Sequence, residues 1–299
     1  MINRDMKNVE RSQGSTTYVI TYFRKGADLL RACLKSVTQA SEKGDAIIVV
    51  DDASCDGVAE FVESSFPEVH FVSLHSNLGP GEARNEALRR VQTEFVQFVD
   101  ADDLIHPQRT HLLAGFLRSN PNVPFVSAHY TSFIGAIKFE EIEVGDFEMT
   151  PTYTVSYLPC AGLFRMSFIR SVGLFDSSRR WMDLSFHARI IAKEPFHMHL
   201  SIPMYAYRQD VEGQISSATI DKDAHALHSF VSARRAVDAR TARLWLYPLA
   251  TTLARQSKDL PIGLNKLQAF SQPVILAPTF WKSLKWILFS TLYLFRLRR

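Results

Sequence analysis

Four short apolar runs separated by helix-like stretches constrain this chain more tightly than any other feature. Residues 18–23 (YVITYF) are rich in β-formers, and residues 28–37 then set Leu29, Leu30, Cys33, Leu34 and Val37 on one helical face. The alternation repeats as a strand over 46–50, a helix over 58–65, a strand over 69–72, a helix over 82–91 and a strand over 95–99. Strands and helices in that order form βαβ units, which fold as a largely parallel sheet with helices on both faces. The expected fold class is therefore α/β, with a Rossmann-like, mostly parallel sheet. Runs as apolar as residues 47–50 suit strands buried on both sides, and such sheets bind ligands beyond the carboxyl ends of their strands. Asp51-Asp52 and Asp100-Ala101-Asp102-Asp103 stand at that edge.

Downstream, the pattern predicts a helix over 108–117 and a strand over 123–128. Residues 133–157 are irregular, with a strand-like stretch at 153–157. Helices follow over 167–171 and 183–192, and strands over 196–200 and 204–207. From about residue 221 the chain becomes helical and basic. The formal charge of +3 conceals a split, because residues 224–299 hold 12 basic residues against Asp238 and Asp259, a net of +10, which leaves −7 upstream. A basic appendage of this kind meets an anionic partner, and the acidic domain has reason to bind a cation.

The uncharged stretch after Lys285 is ten residues long, well short of the roughly 20 that a spanning helix requires. Trp281 and Trp286 beside lysines, with Arg296, Arg298 and Arg299 at the end, suit a helix lying on an anionic membrane surface. A core or dimer helix is the competing reading and leaves a homo-oligomer open. Nucleic acid is not an expected partner, since the basic residues are interleaved with bulky aliphatics. The first fifteen residues contain no apolar segment of a secretory signal. Cys33, Cys55 and Cys160 have neither paired spacing nor a C-x-x-C motif, so no disulfide framework or zinc site is expected. A cytoplasmic location, peripheral on the inner face of the plasma membrane, follows as the expectation.

Three constellations carry chemistry. Asp100, Asp102 and Asp103 crowd three carboxylates into four residues, a repulsion that a divalent cation relieves. Mg²⁺ and similar hard ions take one or two carboxylates and complete the shell with phosphates and water. The bland alternative is an acidic turn capping the next helix. Asp51 and Asp52 either accept hydrogen bonds from a base or ribose, or cap the helix over 58–65. In residues 77–85 (NLGPGEARN), a glycine turn, a helix start and Arg84 suit a diphosphate. The Walker lysine and hydroxyl are missing, and Arg84 pairing with Glu82 or Asp103 is the alternative. His197 and His199 alternate along a strand and offer two metal ligands without a third.

Taken in order, residues 18–23, 49–54, 77–79 with 83–85, and 98–103 resemble the family 2 glycosyltransferases of the GT-A fold. Gly162 to Arg165, residues 172–176 and Tyr207-Arg208-Gln209 extend the resemblance over roughly 16–218. It implies an inverting, metal-dependent transferase that moves a sugar from a UDP- or GDP-linked donor to a hydroxyl of a glycan or lipid-linked acceptor. Cell-envelope or surface polysaccharide synthesis is the setting it implies. By the same resemblance, Asp102 holds Mn²⁺ or Mg²⁺ against the donor diphosphate and Asp100 contacts the ribose or assists the metal. Asp103 is structural, as a helix cap or a partner for Arg84. Thr21, Tyr22 and Phe23, with Asp51 or Asp52, hold the nucleotide, and Arg84 serves the donor side.

The catalytic base falls on Asp183, where relatives carry Glu-Asp and this chain has Met182-Asp183; an N-cap for the helix it starts is the alternative. After Gln209, where relatives have histidine, stands Asp210. The expected domains are a polar tail (1–15), a GT-A domain (16–220) and a basic helical region (221–299). An inactive nucleotide-binding relative and an aspartate-based phosphotransfer protein are the competing readings.

Overall fold

The apolar runs of the N-terminal half fold as their periodicity predicts. In the computed structural model, which describes residues 16–139, 144, 147–153, 162–176, 182–209, 233, 235 and 237, the chain forms β1 (Thr16–Tyr22), α1 (Ala27–Ala40), β2 (Ala46–Asp51), α2 (Val58–Ser65), β3 (Val69–Ser73), α3 (Pro80–Leu88) and β4 (Phe95–Asp100). The expectations for residues 1–15, Asp210 and, apart from residues 233, 235 and 237, the basic C-terminal region lie outside the described residues. β1 pairs in parallel with β2 on one side and with β4 on the other, and β3 adds in parallel to β2. The order β3-β2-β1-β4 reverses direction at β1. A crevice opens at such a reversal, at the carboxyl ends of the two central strands.

Alternation along each strand sends side chains to opposite layers. Val19, Ile48, Val50, Val96 and Phe98 pack with Ala83 and Ala87 of α3 on one face. Tyr18, Ile20, Val49 and Val99 pack with Leu30, Cys33 and Leu34 of α1 and Val58 and Val62 of α2 on the other. Helices thus cover both faces, as expected of an α/β sheet.

Beyond β4 the sheet turns mixed. It contains β5 (Leu104–Ile105), α4 (Arg109–Ser119), β6 (Phe125–Phe133), β7 (Met149–Tyr153), β8 (Gly162–Arg165), α5 (Met166–Val172), α6 (Met182–Lys193) and β9 (Phe196–Arg208). β8 runs antiparallel to both β4 and β6, and β9 runs parallel to β6 but antiparallel to β5 and β7. β5 and β8, two and four residues long, are too short to show periodicity and were not expected. The strands expected over 196–200 and 204–207 are one strand. Its register against β6 shifts on either side of His129, opposite Pro203, and such an irregularity accommodates a proline that cannot donate to the ladder.

Aromatic packing fixes α6 against β4. Phe98 meets Phe175 and Phe186 edge to face at 5.4 and 6.2 Å, and Phe175 stacks on Phe186 at 3.9 Å. Phe98 lies two residues before Asp100 and Phe186 three after Asp183, so one cluster sets the position of both carboxylates.

Candidate active site

Register brings the predicted donor residues to one edge. Thr21 pairs with Val50 on one side and Asp100 on the other, and Tyr22 pairs with Asp51. Thr21 is half-buried. Phe23 follows the strand end with 39 % of its surface open, and the Arg24 guanidinium sits 5.3 Å from its ring. Tyr22 is buried, and its hydroxyl donates to Asp56 Oδ2 at 2.7 Å while accepting from the Gly26 amide at 3.1 Å. Burial and the Asp56 hydrogen bond push its phenol well above the ordinary range. The hydroxyl is therefore committed to holding the turn after β1.

Asp51 and Asp52 are both buried and do different things. Asp51 Oδ1 accepts the Ser54 amide at 3.0 Å and closes the turn after β2. Asp52 accepts the amides of Leu78 at 2.7 Å and Gly79 at 2.8 Å, one per carboxylate oxygen, so it shapes the glycine turn that begins α3. Neither caps α2: Gly57 occupies that position, and Asp56 accepts the Val58 amide at 3.3 Å. Three non-glycine residues with left-handed backbone, Arg24 (φ 48), Ala53 (φ 61) and Cys55 (φ 52), cluster in the two adjoining turns. Arg24 also ties those turns together, donating from its amide to Ser54 Oγ at 3.0 Å and from Nε to the Ser54 carbonyl at 3.1 Å. Strain of this kind, about 1–2 kcal/mol per residue, persists where surrounding contacts over-determine it, and it concentrates at functional sites.

The acidic run divides three ways. Asp100 accepts Arg84 Nη2 at 2.8 Å. Asp102 is paired with Lys25 Nζ at 2.6 Å. Asp103, fully buried, accepts Tyr205 Oη at 2.5 Å and the Arg208 amide at 2.8 Å. Burial, followed by repulsion from Asp100, pushes the Asp103 carboxyl up to about 8. The two structural roles expected of Asp103 are both corrected: β5 rather than a helix follows it, and Arg84 pairs elsewhere. Arg208 closes this corner, donating from Nε to the Asp102 carbonyl at 2.8 Å and from Nη1 to the Gly135 carbonyl at 2.6 Å.

Arg84 is the junction of the site. Its buried guanidinium reaches Asp100 at 2.8 Å with Nη2 and Asp183 at 2.9 Å with Nη1, instead of Glu82 or Asp103. The fork geometry lets one cation hold two carboxylates from different elements. Asp183 lies within the first turn of α6 rather than capping it, where the helix dipole favours a negative charge. Its side chain keeps 41 % of its surface open, so a substrate can reach it. Desolvation by the surrounding protein raises its carboxyl above the ordinary carboxylate range, and Arg84 opposes the shift. Met182 is buried in the core beside α3, which gives the apolar residue at the expected glutamate position a packing role.

His197 and His199 both bond to the Ser127 hydroxyl, at 2.6 and 2.7 Å. Among the described residues no group of three or more His, Cys, Asp or Glu is arranged to hold a metal ion. A single carboxylate plus donor phosphates is nevertheless an adequate set for Mg²⁺ or Mn²⁺. A divalent cation would relieve the repulsion among the clustered carboxylates of Asp100, Asp102 and Asp103, so the residues fit one at Asp102. Lys25, Asp56 and Tyr205 are the site components absent from the sequence reading, and Ser54 entered it only as part of the motif over 49–54. Lys25 and Asp56 carried no local signal, and Tyr205 acts from 102 positions away.

With the geometry in hand, comparison defines the class. Residues 16–168 match the family described as Glycosyl transferase family 2, and the chain belongs to it. A teichoic acid poly(glycerol phosphate) polymerase from Staphylococcus epidermidis is 24 % identical over 180 residues, 57 % of this chain and 25 % of that protein. Across three curated relatives the match spans 25 % to 62 % of their own lengths. In fold, the chain is similar to S. aureus TarS 1–349 in complex with UDP (TM-score 0.57, 15 % identity, 74 % of this chain and 65 % of that one). It is also similar to the mannosyltransferase PcManGT from Pyrobaculum calidifontis in complex with GDP-Man and Mn²⁺ (TM-score 0.54, 16 % identity, 93 % and 86 %). The GT-A architecture expected from the sequence is thus the observed one. Among the described residues no helix is long and apolar enough to cross a membrane.

Proposed function

We propose that this protein transfers a sugar, with inversion, from a nucleoside-diphosphate sugar to an acceptor hydroxyl, using Asp183 as base and Asp102 as the ligand of a divalent cation. The observation that carries the reading is the Arg84 bridge, which spans Asp100 at the end of β4 and Asp183 at the start of α6. It holds a donor-side carboxylate and a substrate-accessible base at fixed separation, and such positioning is a large part of what catalysis of a two-substrate reaction requires. Asp183 takes the proton of the acceptor hydroxyl as that oxygen attacks the anomeric carbon, and the nucleoside diphosphate leaves from the opposite face. An upward-shifted carboxyl is the stronger base for this purpose. The cation, when bound, supplies positive charge to the leaving diphosphate. Thr21 and Phe23 line the edge where the nucleotide binds, and Asp51 and Asp52 support it by shaping the turns around it.

The UDP and GDP-mannose complexes of the two similar folds support a nucleotide-sugar donor, and the Mn²⁺ in the second supports the cation. The teichoic acid relative supports a role in cell-envelope polymer synthesis, with a glycan or lipid-linked acceptor. The basic C-terminal region, by its composition, is the proposed contact with an anionic membrane surface, which sets the enzyme on the cytoplasmic side.

A thermal-shift panel of UDP- and GDP-sugars with and without Mn²⁺ tests the donor, because a ligand that binds only the native state raises the melting temperature with its occupancy. Asp183→Asn is expected to keep that shift and lose transfer by a factor of about 10² to 10⁴. Wild-type turnover in this variant sinks the assignment of the base.

A further inference from the structure

Lys25 occupies a position with a second use. Its ammonium lies 2.6 Å from Asp102 Oδ2, and the two side chains are 17 % and 9 % exposed. Both of its neighbours in the chain are pinned: Arg24 to Ser54 through its amide and guanidinium, and Gly26 through its amide to the buried Tyr22 hydroxyl. The backbone therefore presents Lys25 at a fixed point, and only a flexible stem with a compact charge is left to move. The carboxylate it holds belongs to a crowded acidic corner, with Asp100 and Asp103 also within the same four-residue run. That corner needs positive charge with or without a ligand.

We propose that Lys25 is a displaceable internal counter-ion: it compensates Asp102 in the free protein, yields that carboxylate to a divalent cation, and then favours the donor diphosphate. The inference rests on Asp102 being the cation's ligand. Cation alone binds weakly, because it competes with an ammonium already in contact with the carboxylate. The donor gives the displaced ammonium a new anionic partner, so donor tightens cation binding, and linkage requires the converse by the same factor. Ordered, coupled loading of the site is then a property of one side chain.

Isothermal titration of Mn²⁺ into the full chain, with and without saturating UDP, tests this. Lys25→Met and Lys25→Gln are expected to bind Mn²⁺ alone about tenfold more tightly, or about 1.4 kcal/mol. The tightening produced by UDP is expected to shrink by a similar factor. Circular dichroism and melting curves verify that both variants are folded, and Lys25 sits on a partly exposed turn where either substitution is accommodated. Unchanged Mn²⁺ affinity in both variants, or a wild type whose Mn²⁺ affinity UDP does not alter, overturns the proposal. Asp102→Asn separates the two levels. If it loses Mn²⁺ while the Lys25 variants bind as wild type, only the counter-ion role falls. If it still binds Mn²⁺ with UDP as the wild type does, the cation assignment falls as well.

Discussion

At the residue scale, Arg84 decides how the site behaves. Its charge lowers the proton affinity of Asp183, against the desolvation that raises it, so removing Arg84 moves the Asp183 carboxyl further upward. In Arg84→Ala, the acidic limb of the kcat/KM pH profile is expected to shift to higher pH, because that limb reports the free enzyme's base. Arg84→Lys keeps a charge but offers no fork to span two carboxylates. It is expected to restore part of the pH position while losing turnover about 10²-fold, as a small misplacement of reacting groups does. Steady-state kinetics from pH 5 to 9 distinguish the two effects; an unshifted limb in Arg84→Ala refutes the coupling.

At the element scale, the approach of α3 to the start of α6 places Arg84 beside Asp183. Gly81 permits it: a Cβ at that position would lie 2.8 Å from the Asp176 carbonyl oxygen and 3.4 Å from Met182. Asn85 clamps the same contact, donating to the Phe175 carbonyl at 3.0 Å and accepting the Phe175 amide at 2.8 Å. Gly81→Ala is expected to destabilise the fold by about 1–3 kcal/mol, the range for overpacking a tight contact, and to lower activity by moving Asp183 away from Asp100. Urea denaturation alongside turnover checks this, and a variant as stable as wild type would mean that the contact yields without cost. Elements of five or more residues in the N-terminal half were legible in the sequence because helical and strand periods are local properties. β5, at two residues, and β8, at four, exist only because longer strands lie beside them.

At the scale of the whole molecule, the mixed half of the sheet buries histidines that must stay neutral. Burial, then the proximity of His199 and His187, holds His197 down at about 3, and burial also lowers His199. Below about pH 6.5 the unfolded chain takes up these protons and the native protein does not, so stability is full above that pH and falls as the pH drops toward 3. From pH 7 to pH 5, His197 alone is expected to cost about 2 kcal/mol. His197→Gln should flatten the slope measured by urea denaturation at those two pH values, and a slope identical to wild type would refute the assignment.

The local alternation of apolar and polar residues determined that this chain builds a βαβ sheet, and the carboxylates after its strands marked the edge where chemistry belongs. Resemblance in motif order then identified the family. What those carboxylates touch was decided only by the tertiary structure. Arg84 reaches Asp183 across 99 positions, Lys25 reaches Asp102 across 77 and Tyr205 reaches Asp103 across 102. Such pairings follow from which strand ends become neighbours, with β1 seated between β2 and β4 and β9 returning to β5. Side-chain period along the chain reports burial face; it contains no term for the partner that another part of the chain brings to that face.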